Sequence, residues 1–399
     1  MISNVNIASA AQQNDNIKLP VLLNDFIETD TIVVRSPGRI NLIGEHTDYN
    51  NGFVLPAAID KAAYIALTPR QDNEIHLHSV DLNDKYITVT ETVNITKASW
   101  PNYILGVVDQ FKQKGIAIKG FNAALTADVP IGAGLSSSAA VECATAFALN
   151  EYLNSKLDKL ALVKLSQKAE HEFAGVQCGI MDQFASMFGM RNHVVKLDCR
   201  SLEYKYEPFE IDGYKIVLFD TNVKHSLASS EYNVRRSQCE AGVSMIQQYH
   251  KEIKSLRDVT LQMLDKHVLP NEKLVYQRCR YVVEEIQRLQ DACTDLENNN
   301  ITAFGCKMFE THNGLSSMYD VSCKELDFLV DLVKNNPAVP GARMMGGGFG
   351  GCTINLVKED IIDELIASTT LAYEEAMHKK MSAYIVQIED GTSLIKNIS

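Results

Sequence analysis

The chain contains three short segments whose side chains could do chemistry, and the first spans residues 35–49. There Glu45, His46 and Asp48 place two carboxylates and a ring nitrogen within four residues, directly after a glycine. Carboxylates accept hydrogen bonds from vicinal hydroxyls, so the cluster suits a polyol or a sugar and would discriminate against a ligand that lacks one hydroxyl. Arg39 could stabilise charge that develops on a transferred phosphoryl group. The alternative is an exposed turn with ordinary surface charges.

The second segment is a glycine-rich loop at residues 132–134, closely followed by three consecutive serines. Glycines let backbone amides approach a ligand, and the start of a helix adds free N–H donors and the positive end of its dipole. These groups together form an anion cradle for a nucleotide phosphate, where a serine hydroxyl can add a donor or an oxygen ligand for Mg²⁺. The alternative is a plain loop. In either case Ser136 is expected to cap the following helix.

The third segment joins Glu170 to residues 178–183, where Asp182 stands near an expected helix start. A carboxylate here can take a proton from a hydroxyl nucleophile, and Glu170 can offer a second hard oxygen to Mg²⁺. The simpler interpretations are that Asp182 complements the helix dipole and that Glu170 lies on a solvated helix face. The chain has no HExxH sequence, so a zinc hydrolase is not supported.

Two familiar nucleotide-binding motifs do not fit. The chain has no GxxxxGK[ST] sequence, so it is not a P-loop protein. A GxGxxG pattern at Gly346, Gly348 and Gly351 precedes an apolar strand, whereas a dinucleotide-binding loop opens a helix. We therefore expect this glycine cluster to pack its backbone against a neighbouring loop or a nucleotide.

Hydrophobic periodicity and turn residues predict the elements that must position these segments. A β-branched run at 31–35 predicts a strand that ends in a Ser-Pro-Gly turn. The apolar spacing over 275–296 predicts a core-facing helix rather than a coiled coil. Further strands are predicted over 62–68, 74–80, 121–127, 193–198, 215–220 and 352–357. Further helices are predicted over 102–114, 136–153, 160–173 and 180–189, and from about 230.

Length, composition and charge narrow the class of protein. The 399 residues are 46% hydrophobic, which is an ordinary globular composition, and 38 Lys and Arg against 50 Asp and Glu give a net charge of −12. Because the sequence has no basic stripe or polybasic cluster, binding to nucleic acid or to an anionic membrane is not expected. No apolar run is long enough for a transmembrane helix, and the polar N-terminus does not resemble a signal peptide.

Nine scattered cysteines include no CxxC pair, which favours reduced thiols in a cytoplasmic protein over a disulfide scaffold or a zinc knuckle. A change of pattern around residues 195–212 predicts two domains, 31–200 and 201–399, after an N-terminal extension over 1–30. The first domain mixes strands and helices as in α/β proteins, and the second has an α+β pattern.

The three segments, in this order, resemble the galactokinases, which are members of the GHMP family of small-molecule kinases. Residues 38–50 resemble the galactokinase signature, 130–139 the GHMP phosphate loop and 178–183 the segment of the catalytic aspartate. Residues 230–236 resemble a further galactokinase block, and 343–352 resemble the C-terminal GHMP motif. The likeness covers nearly the whole chain after residue 30.

This resemblance implies a mixed α+β fold of two domains, in which the N-terminal half is like domain 2 of ribosomal protein S5 and the C-terminal half is ferredoxin-like. It implies an enzyme that transfers the γ-phosphoryl group of MgATP to the anomeric 1-hydroxyl of α-D-galactose. The products would be galactose 1-phosphate and ADP, in the first committed step of galactose catabolism. A cytoplasmic monomer that uses Mg²⁺ and binds neither nucleic acid nor membrane is expected.

The resemblance also implies a role for each matching residue. Arg39 would stabilise the transition state, and Asp182 would be the base or the charge partner at the sugar O1. The residues expected to contact the sugar are Glu45, His46, Thr47, Asp48, Asp182 and Tyr232. The residues expected to contact ATP are Ser79, Gly132, Ala133, Gly134, Leu135, Ser136, Ser137 and Ser138. Mg²⁺ would be bound by Ser138 and Glu170.

Two other functions stay open at the level of the sequence. One is a related sugar kinase, for example one for N-acetylgalactosamine, because the pocket around C2 is invisible in the sequence. The other is a galactose sensor without catalytic activity, which is disfavoured because sensors of this family have lost residues in the serine loop that is intact here. A mevalonate-type kinase or a GHMP decarboxylase fits less well, since the Glu-His-x-Asp cluster suits a sugar.

Overall fold

The computed structural model describes residues 19–209, 211–223 and 228–397. Within this part of the chain the strands are β1 (Ile32–Asn41), β2 (Phe53–Val54), β3 (Pro56–Pro69), β4 (Glu74–Ser79), β5 (Asp84–Val89), β6 (Phe121–Ala127), β7 (His193–Asp198), β8 (Tyr204–Pro208), β9 (Tyr214–Asp220), β10 (Gly341–Met344), β11 (Cys352–Lys358), β12 (Ser382–Val386) and β13 (Ser393–Asn397). The α-helices are α1 (Ser99–Gln113), α2 (Ser137–Tyr152), α3 (Lys159–Ala169), α4 (Met181–Phe188), α5 (Ala228–Gln247), α6 (Leu261–His267), α7 (Lys273–Glu297), α8 (Ile301–Gly314), α9 (Lys324–Val333) and α10 (Ile362–Met377).

A six-stranded sheet organises the first half of the chain, in the order β13-β1-β3-β6-β4-β5. Its neighbours run antiparallel except β4 and β6, which are parallel. The alanine-rich helix α2 packs directly on β1 and β3, and helices α1, α3 and α4 pack around it. Their apolar faces bury one continuous core that includes Val34, Ile65, Val107 and Phe147. This packing fixes the start of α2 and, with it, the glycine-rich loop.

The strand predicted to end in a Ser-Pro-Gly turn instead continues through it, as β1. Its pairing with β3 shifts register between Pro37 and Arg39, where proline has no backbone N–H to give to the ladder. Gly38 allows a close approach at this point, because a Cβ there would lie 2.7 Å from the carbonyl oxygen of Leu135 in the glycine-rich loop. The strand therefore brings Arg39 directly against that loop.

Most of the predicted elements are confirmed, and β6 and β7 have the predicted bounds. The helix predicted over 160–173 is divided, because α3 ends at Ala169 and a π-helical turn follows over Glu170–Ala174. Such turns are rare overall, and those that occur are frequently found at functional sites. The predicted helix was therefore correct in type but not in its geometry around Glu170.

The second half of the chain contains a four-stranded antiparallel sheet in the order β10-β11-β9-β12. Helices α9 and α10 pack against it with Leu329 and Tyr373 in the core. The apolar stripe over 275–296 lies on α7, and Leu289 on that stripe packs in one core with Ile40 and Leu42 of the first half. The core-facing interpretation of the stripe is confirmed. The predicted mixed α+β fold is confirmed as well.

The chain passes between the two halves more than once. Strand β13 pairs with β1, so residues 393–397 belong to the sheet of the first half. Strands β2, β7 and β8 form a separate three-stranded sheet at the predicted boundary. The division into domains 31–200 and 201–399 stays a prediction, to which the last strand is an exception.

The predicted N-terminal extension over 1–30 lies only in part within the described residues, which begin at residue 19. A 3₁₀-helix covers Val21–Phe26, and Leu23 within it is fully buried together with Val33 and Ala66. Leu23 and the partly buried Phe26 therefore anchor this helix to the first half of the chain. Each of the nine cysteines is a free thiol.

Among the helices that the structure describes, none is both long and apolar enough to cross a lipid bilayer.

Candidate active site

The predicted segments meet around one cavity of about 270 Å³. Its walls come from β1 and the turn after it, the glycine-rich loop, the start of α4, helix α5 and the backbone at Gly346 and Gly347. The predicted site residues that line the cavity are Arg39, Glu45, His46, Asp48, Gly132, Gly134, Leu135, Ser136, Ser137, Ser138, Glu170, Asp182 and Tyr232. Side chains from both halves of the chain therefore face one space.

Arg39 and Asp182 form an ion pair with two parallel hydrogen bonds at the cavity wall. Nε of Arg39 donates to Oδ1 at 2.8 Å and Nη2 donates to Oδ2 at 3.0 Å, the fork geometry in which guanidinium and carboxylate groups bind best. Nη1 donates to the carbonyl oxygen of Gly134 at 2.6 Å and ties the pair to the glycine-rich loop. The side chain of Asp182 is 23% exposed, so the carboxylate is held firmly and is still accessible.

The glycine-rich loop enters α2 through Ser136, whose backbone is in the left-handed region at φ 57°. Its hydroxyl donates to Oδ2 of Asp182 at 2.5 Å and makes no bond to the helix start, so the predicted serine cap is wrong. Within the described residues no side chain caps the first amides of α2, which leaves these donors and the positive end of the dipole beside the cavity. The free amides that the predicted anion cradle requires are therefore available, and phosphate binding stays a prediction.

Glu170 lies at the start of the π-helical turn and faces Ser138. The Ser138 hydroxyl donates to Oε1 at 2.9 Å, and Nε2 of Gln183 donates to Oε2 at 2.6 Å. Burial of the carboxyl, and next the charge of Asp182, raise the pKa of Glu170. A cation beside Glu170 would counter both effects.

Ser138 and Glu170 therefore fit a magnesium ion that is bound together with phosphate oxygens. Their hydroxyl and carboxylate oxygens are hard donors, adjacent to each other and to the glycine-rich loop. Proteins hold Mg²⁺ in this way, through one or two carboxylates plus substrate phosphates, rather than in a cage made of protein alone. Residues 19–209, 211–223 and 228–397 contain no cluster of three or more His, Cys, Asp or Glu that could hold a metal.

Glu45 is buried and is held by donors from the second half of the chain. Its Oε1 accepts from the backbone N–H of Gly346 at 2.8 Å and from Nη2 of Arg343 at 3.1 Å. Arg343 is itself fully buried, and its remaining N–H groups bind the carbonyl oxygens of Asn41, Leu42 and Met344. This pairing stabilises a buried carboxylate. Since Glu45 lines the cavity, its other oxygen can accept a hydrogen bond from a ligand.

Asp48 stands beside Gly179, the residue that precedes α4 by two positions. A Cβ at position 179 would lie 1.8 Å from Oδ2 of Asp48, so only glycine leaves room for this carboxyl. Burial, followed by the charge of Asp182, raises the pKa of Asp48 to about 7, although the backbone N–H of Tyr49 opposes the rise. Asp48 therefore changes charge near neutral pH.

His46 lies among tyrosine rings and has a left-handed backbone at φ 62°. Its ring centroid is 4.9 Å from that of Tyr319 and 5.3 Å from that of Tyr232, and Nδ1 lies 2.8 Å from the hydroxyl oxygen of Tyr49. Burial lowers the pKa of His46 to about 4, so the ring is neutral at pH 7. Nε2 is buried and has no hydrogen-bond partner among the described residues, which is the condition expected of a group that awaits a ligand.

Comparisons with known proteins agree with this geometry. The family described as GHMP kinases N terminal domain matches residues 102–190, and the galactokinase galactose-binding signature matches residues 24–69. A galactokinase of Thermotoga neapolitana is 40% identical over 363 residues, which cover 91% of this chain and 99% of that protein. The chain belongs to the galactokinase family. A galactokinase of Clostridium acetobutylicum is likewise 40% identical, with 90% of this chain and 94% of that protein covered.

Solved structures extend the comparison. The galactokinase of Lactococcus lactis, complexed with galactose, superposes with a TM-score of 0.87 at 34% identity and covers 91% of this chain and 95% of its own. The mevalonate kinase of Methanococcus jannaschii superposes with a TM-score of 0.62 at 20% identity, over 90% of this chain and 98% of its own. The second likeness shows the shared fold. The predicted membership of the galactokinase family is confirmed.

Three residues that the galactokinase resemblance assigned to ligands do not line the cavity. Thr47 is fully buried, with Oγ1 2.9 Å from the carbonyl oxygen of Gly44 and 2.5 Å from that of Phe53, so its side chain stabilises the signature turn. Its contact with the sugar stays a prediction. Ala133, within the glycine-rich loop, has a fully buried side chain. Ser79 is buried at the end of β4, and its contact with the nucleotide stays a prediction.

The glycine cluster at the C-terminal GHMP motif packs as the sequence predicted. A Cβ at Gly346 would lie 3.2 Å from the carbonyl oxygen of Gly134, and one at Gly351 would lie 3.2 Å from the carbonyl group of Ala133. Both glycines have positive φ. These two glycines let the second half of this galactokinase-family chain pack closely against the glycine-rich loop.

Sequence reasoning assigned no role to several residues that build the site. Arg343 and Gly179 lie within the segments 343–352 and 178–183 that resemble GHMP-kinase motifs, and this resemblance was the signal that could have identified them. Gln183 donates to Glu170 and, at 3.1 Å, to the fully buried Glu142, whose pKa burial raises well above its usual range. No local pattern marks Glu142, because an alanine-rich helix face gives no indication of a buried polar contact.

Proposed function

We propose that the enzyme transfers the γ-phosphoryl group of ATP to the 1-hydroxyl of α-D-galactose and forms α-D-galactose 1-phosphate and ADP. The observation that carries this proposal is the Arg39–Asp182 ion pair, which faces one cavity together with an anion cradle and a cluster of hydroxyl acceptors. Membership of the galactokinase family supports the same reaction. This transfer is the first committed step of galactose catabolism.

The reaction requires positioning and electrostatic stabilisation more than covalent work by the protein. We propose that Asp182 orients the 1-hydroxyl and accepts its proton as the oxygen attacks the phosphorus. The fork bonds from Arg39 hold the carboxylate in place, and the guanidinium also offsets negative charge that develops on the transferred group. Ser136, which donates to the same carboxylate, restricts its rotation.

We assign the sugar to Glu45, His46, Asp48, Asp182 and Tyr232. Glu45 and an ionised Asp48 accept hydrogen bonds from hydroxyls, and the ring of Tyr232 offers an apolar wall beside His46. Removal of one hydroxyl would leave a buried acceptor unpaired, which would give strong discrimination among sugars.

We assign the ATP phosphates to the backbone amides of 132–138 and the start of α2, where glycine conformations and the helix dipole favour an anion. Ser138 and Glu170 would hold Mg²⁺. When bound there, the ion neutralises phosphate charge and orients the γ-phosphoryl group. A net charge of −12 does not oppose ATP binding, because the local potential is set by these amides, the cation and Arg39.

We further propose a cytoplasmic monomer with the two domains predicted from the sequence. The nine free thiols favour a reducing compartment. Analytical ultracentrifugation would test the oligomeric state, and limited proteolysis around residues 195–212 would test the boundary.

The decisive experiment is a coupled ADP-release assay over a panel of sugars, with and without Mg²⁺. Galactose should be the preferred acceptor, and turnover should be lost in the presence of excess EDTA. Phosphorus NMR should identify α-D-galactose 1-phosphate. A preference for N-acetylgalactosamine would show that this sugar, rather than galactose, is the substrate. Binding of galactose and ATP without any product would instead indicate a galactose sensor.

A further inference from the structure

We propose that Tyr49 and Tyr319 are positioning residues that fix the tautomer and orientation of His46, so that its Nε2–H donates a hydrogen bond to a hydroxyl oxygen of the sugar. This inference rests on the proposed function and deepens it. It assigns a task to tyrosine hydroxyls that do not belong to the sugar contacts named above.

A chain of hydrogen bonds runs from the protein interior to the ring of His46. Sγ of Cys239 lies 3.2 Å from the hydroxyl oxygen of Tyr319, which lies 2.7 Å from the hydroxyl oxygen of Tyr49. The Tyr49 hydroxyl lies 2.8 Å from Nδ1 of His46. Cys239 comes from α5, Tyr319 from the π-helical turn 315–319 after α8, and the other two from the signature turn. Three separate elements therefore have to pack correctly before His46 is oriented.

The strengths of the donors and acceptors decide which way the protons point. A thiol is a weak donor and its sulfur is a weak acceptor, whereas an imidazole nitrogen is a strong acceptor. If Tyr319 donates to Tyr49 and Tyr49 donates to Nδ1, both phenol protons reach strong acceptors, and the Cys239 thiol donates to Tyr319. The reverse direction would direct a phenol proton to sulfur. The favoured arrangement leaves Nδ1 without a proton and places the single ring proton on Nε2.

Among the side chains that we assign to the sugar, His46 is the one with an N–H group to donate. Glu45 and an ionised Asp48 only accept hydrogen bonds, and Arg39 is committed to Asp182 and to the carbonyl oxygen of Gly134. Each sugar hydroxyl has an oxygen that can accept as well as a hydrogen to donate. Nε2 of His46 is buried and lies on a residue that lines the cavity, and it makes no hydrogen bond of good geometry among the described residues, although the backbone of Gly347 is near enough to raise the pKa of the ring. Its proton therefore complements the carboxylates.

The first test is the Tyr319→Phe variant, with Tyr49→Phe as a second variant. Each removes one hydroxyl and keeps the ring. We expect KM for galactose to rise by about three- to tenfold, as loss of one neutral hydrogen bond predicts, while kcat and KM for ATP stay within about twofold. Tyr373→Phe is the matched control, because its hydroxyl is also buried and donates to the carbonyl oxygen of Thr221 at 2.8 Å in a different core. The control should leave all three constants unchanged.

A panel of monodeoxygalactoses gives a readout that a merely structural role would not change. The His46→Ala variant should lose discrimination at one hydroxyl, and Tyr319→Phe should lose part of the discrimination at that same hydroxyl. Equal losses at every hydroxyl, or none, would overturn the inference. If the wild type does not phosphorylate galactose at all, the proposed function itself fails.

The tautomer can be measured without any turnover. Long-range proton–nitrogen NMR correlations on the ¹⁵N-histidine-labelled enzyme distinguish a protonated Nε2 from a protonated Nδ1, and His46→Ala identifies the signal among the 10 histidines. We expect the Nε2–H form in the wild type and a mixture of forms in Tyr49→Phe. A protonated Nδ1 in the wild type, or an unchanged spectrum in Tyr49→Phe, would contradict the proposal.

Discussion

The guanidinium of Arg39 holds the carboxylate of Asp182 by two parallel hydrogen bonds of 2.8 and 3.0 Å, although the two residues lie 143 positions apart. We expect Asp182→Asn to lower kcat by about 100-fold or more, because the amide cannot accept the proton of the 1-hydroxyl. MgADP affinity, measured by calorimetry, should stay within about threefold of the wild type. Near-native turnover of Asp182→Asn would show that Asp182 does not accept this proton.

The fork geometry of the same pair predicts that lysine cannot replace arginine. Arg39→Lys keeps the positive charge but loses the parallel bonds and the bond to Gly134. We expect kcat to fall by about tenfold or more while KM for galactose changes much less. Arg280→Lys is the control that tests the exchange itself, because Arg280 is exposed and pairs with Glu284 on α7.

The contact between Ser138 and Glu170 predicts a magnesium phenotype. Glu170→Gln keeps the shape and the Gln183 neighbourhood but removes the charge, so the Mg²⁺ concentration needed for half-maximal rate should rise by about tenfold or more. Glu172→Gln is a matched control, because Glu172 lies in the same π-helical turn and instead binds Gln110 and Gln113. An unchanged Mg²⁺ requirement in Glu170→Gln would exclude Glu170 as a ligand.

The raised pKa of Asp48 predicts that galactose binding depends on pH. Its pKa is about 7 in the folded protein, against an ordinary 3.8, so Asp48 is protonated below pH 7 and cannot accept a hydrogen bond on both oxygens. KM for galactose should fall as the pH rises through 7, and Asp48→Asn should abolish this dependence. A flat KM profile for the wild type between pH 5.5 and 8.5 would contradict the prediction.

The stability of the folded protein should also depend on the ionisation of Asp48. Whereas ionisation favours galactose binding, it should lower the stability. Between pH 4 and 7 the folded protein binds more protons at Asp48 than the unfolded chain does, so a rise in pH lowers this group's contribution to the free energy of unfolding. Thermal unfolding should therefore show that Asp48→Asn gains stability relative to the wild type as the pH is raised. A constant difference in Tm across this range would show that the carboxyl titrates normally.

The close contact of Gly179 with Asp48 predicts a steric effect on the sugar site. Gly179→Ala would place a methyl group 1.8 Å from Oδ2 of Asp48, so the carboxyl must move. We expect KM for galactose to rise by at least about tenfold, with KM for ATP much less affected. The double variant Asp48→Ala/Gly179→Ala removes the two shorter contacts, those with Oδ2 and Cγ, but leaves the Cβ atom of residue 48 at 2.8 Å from the new methyl group. It should therefore recover part of the Tm lost by Gly179→Ala, but not the sugar affinity.

The sequence by itself determined the chemical parts of this protein and the elements that carry them. The signature cluster at Glu45–Asp48 and the loop at 132–138 are local patterns, and a strand or helix period can be identified within a short window. The expected elements β6, β7, α2 and α7 were found because their apolar spacing depends only on neighbouring residues. The local clustering by itself left open the choice between a sugar site and a surface turn, and the resemblance to the galactokinases favoured the sugar.

Only the tertiary structure decided which of these parts touch. Arg343 reaches Glu45 across 298 positions, and the Ser136 hydroxyl leaves the helix it was expected to cap in order to bind Asp182. Thr47 turns inward to carbonyl oxygens of its own turn, and β13 returns to the first sheet. These contacts form because an unpaired buried polar group is costly, and the partners become available only when distant elements pack together.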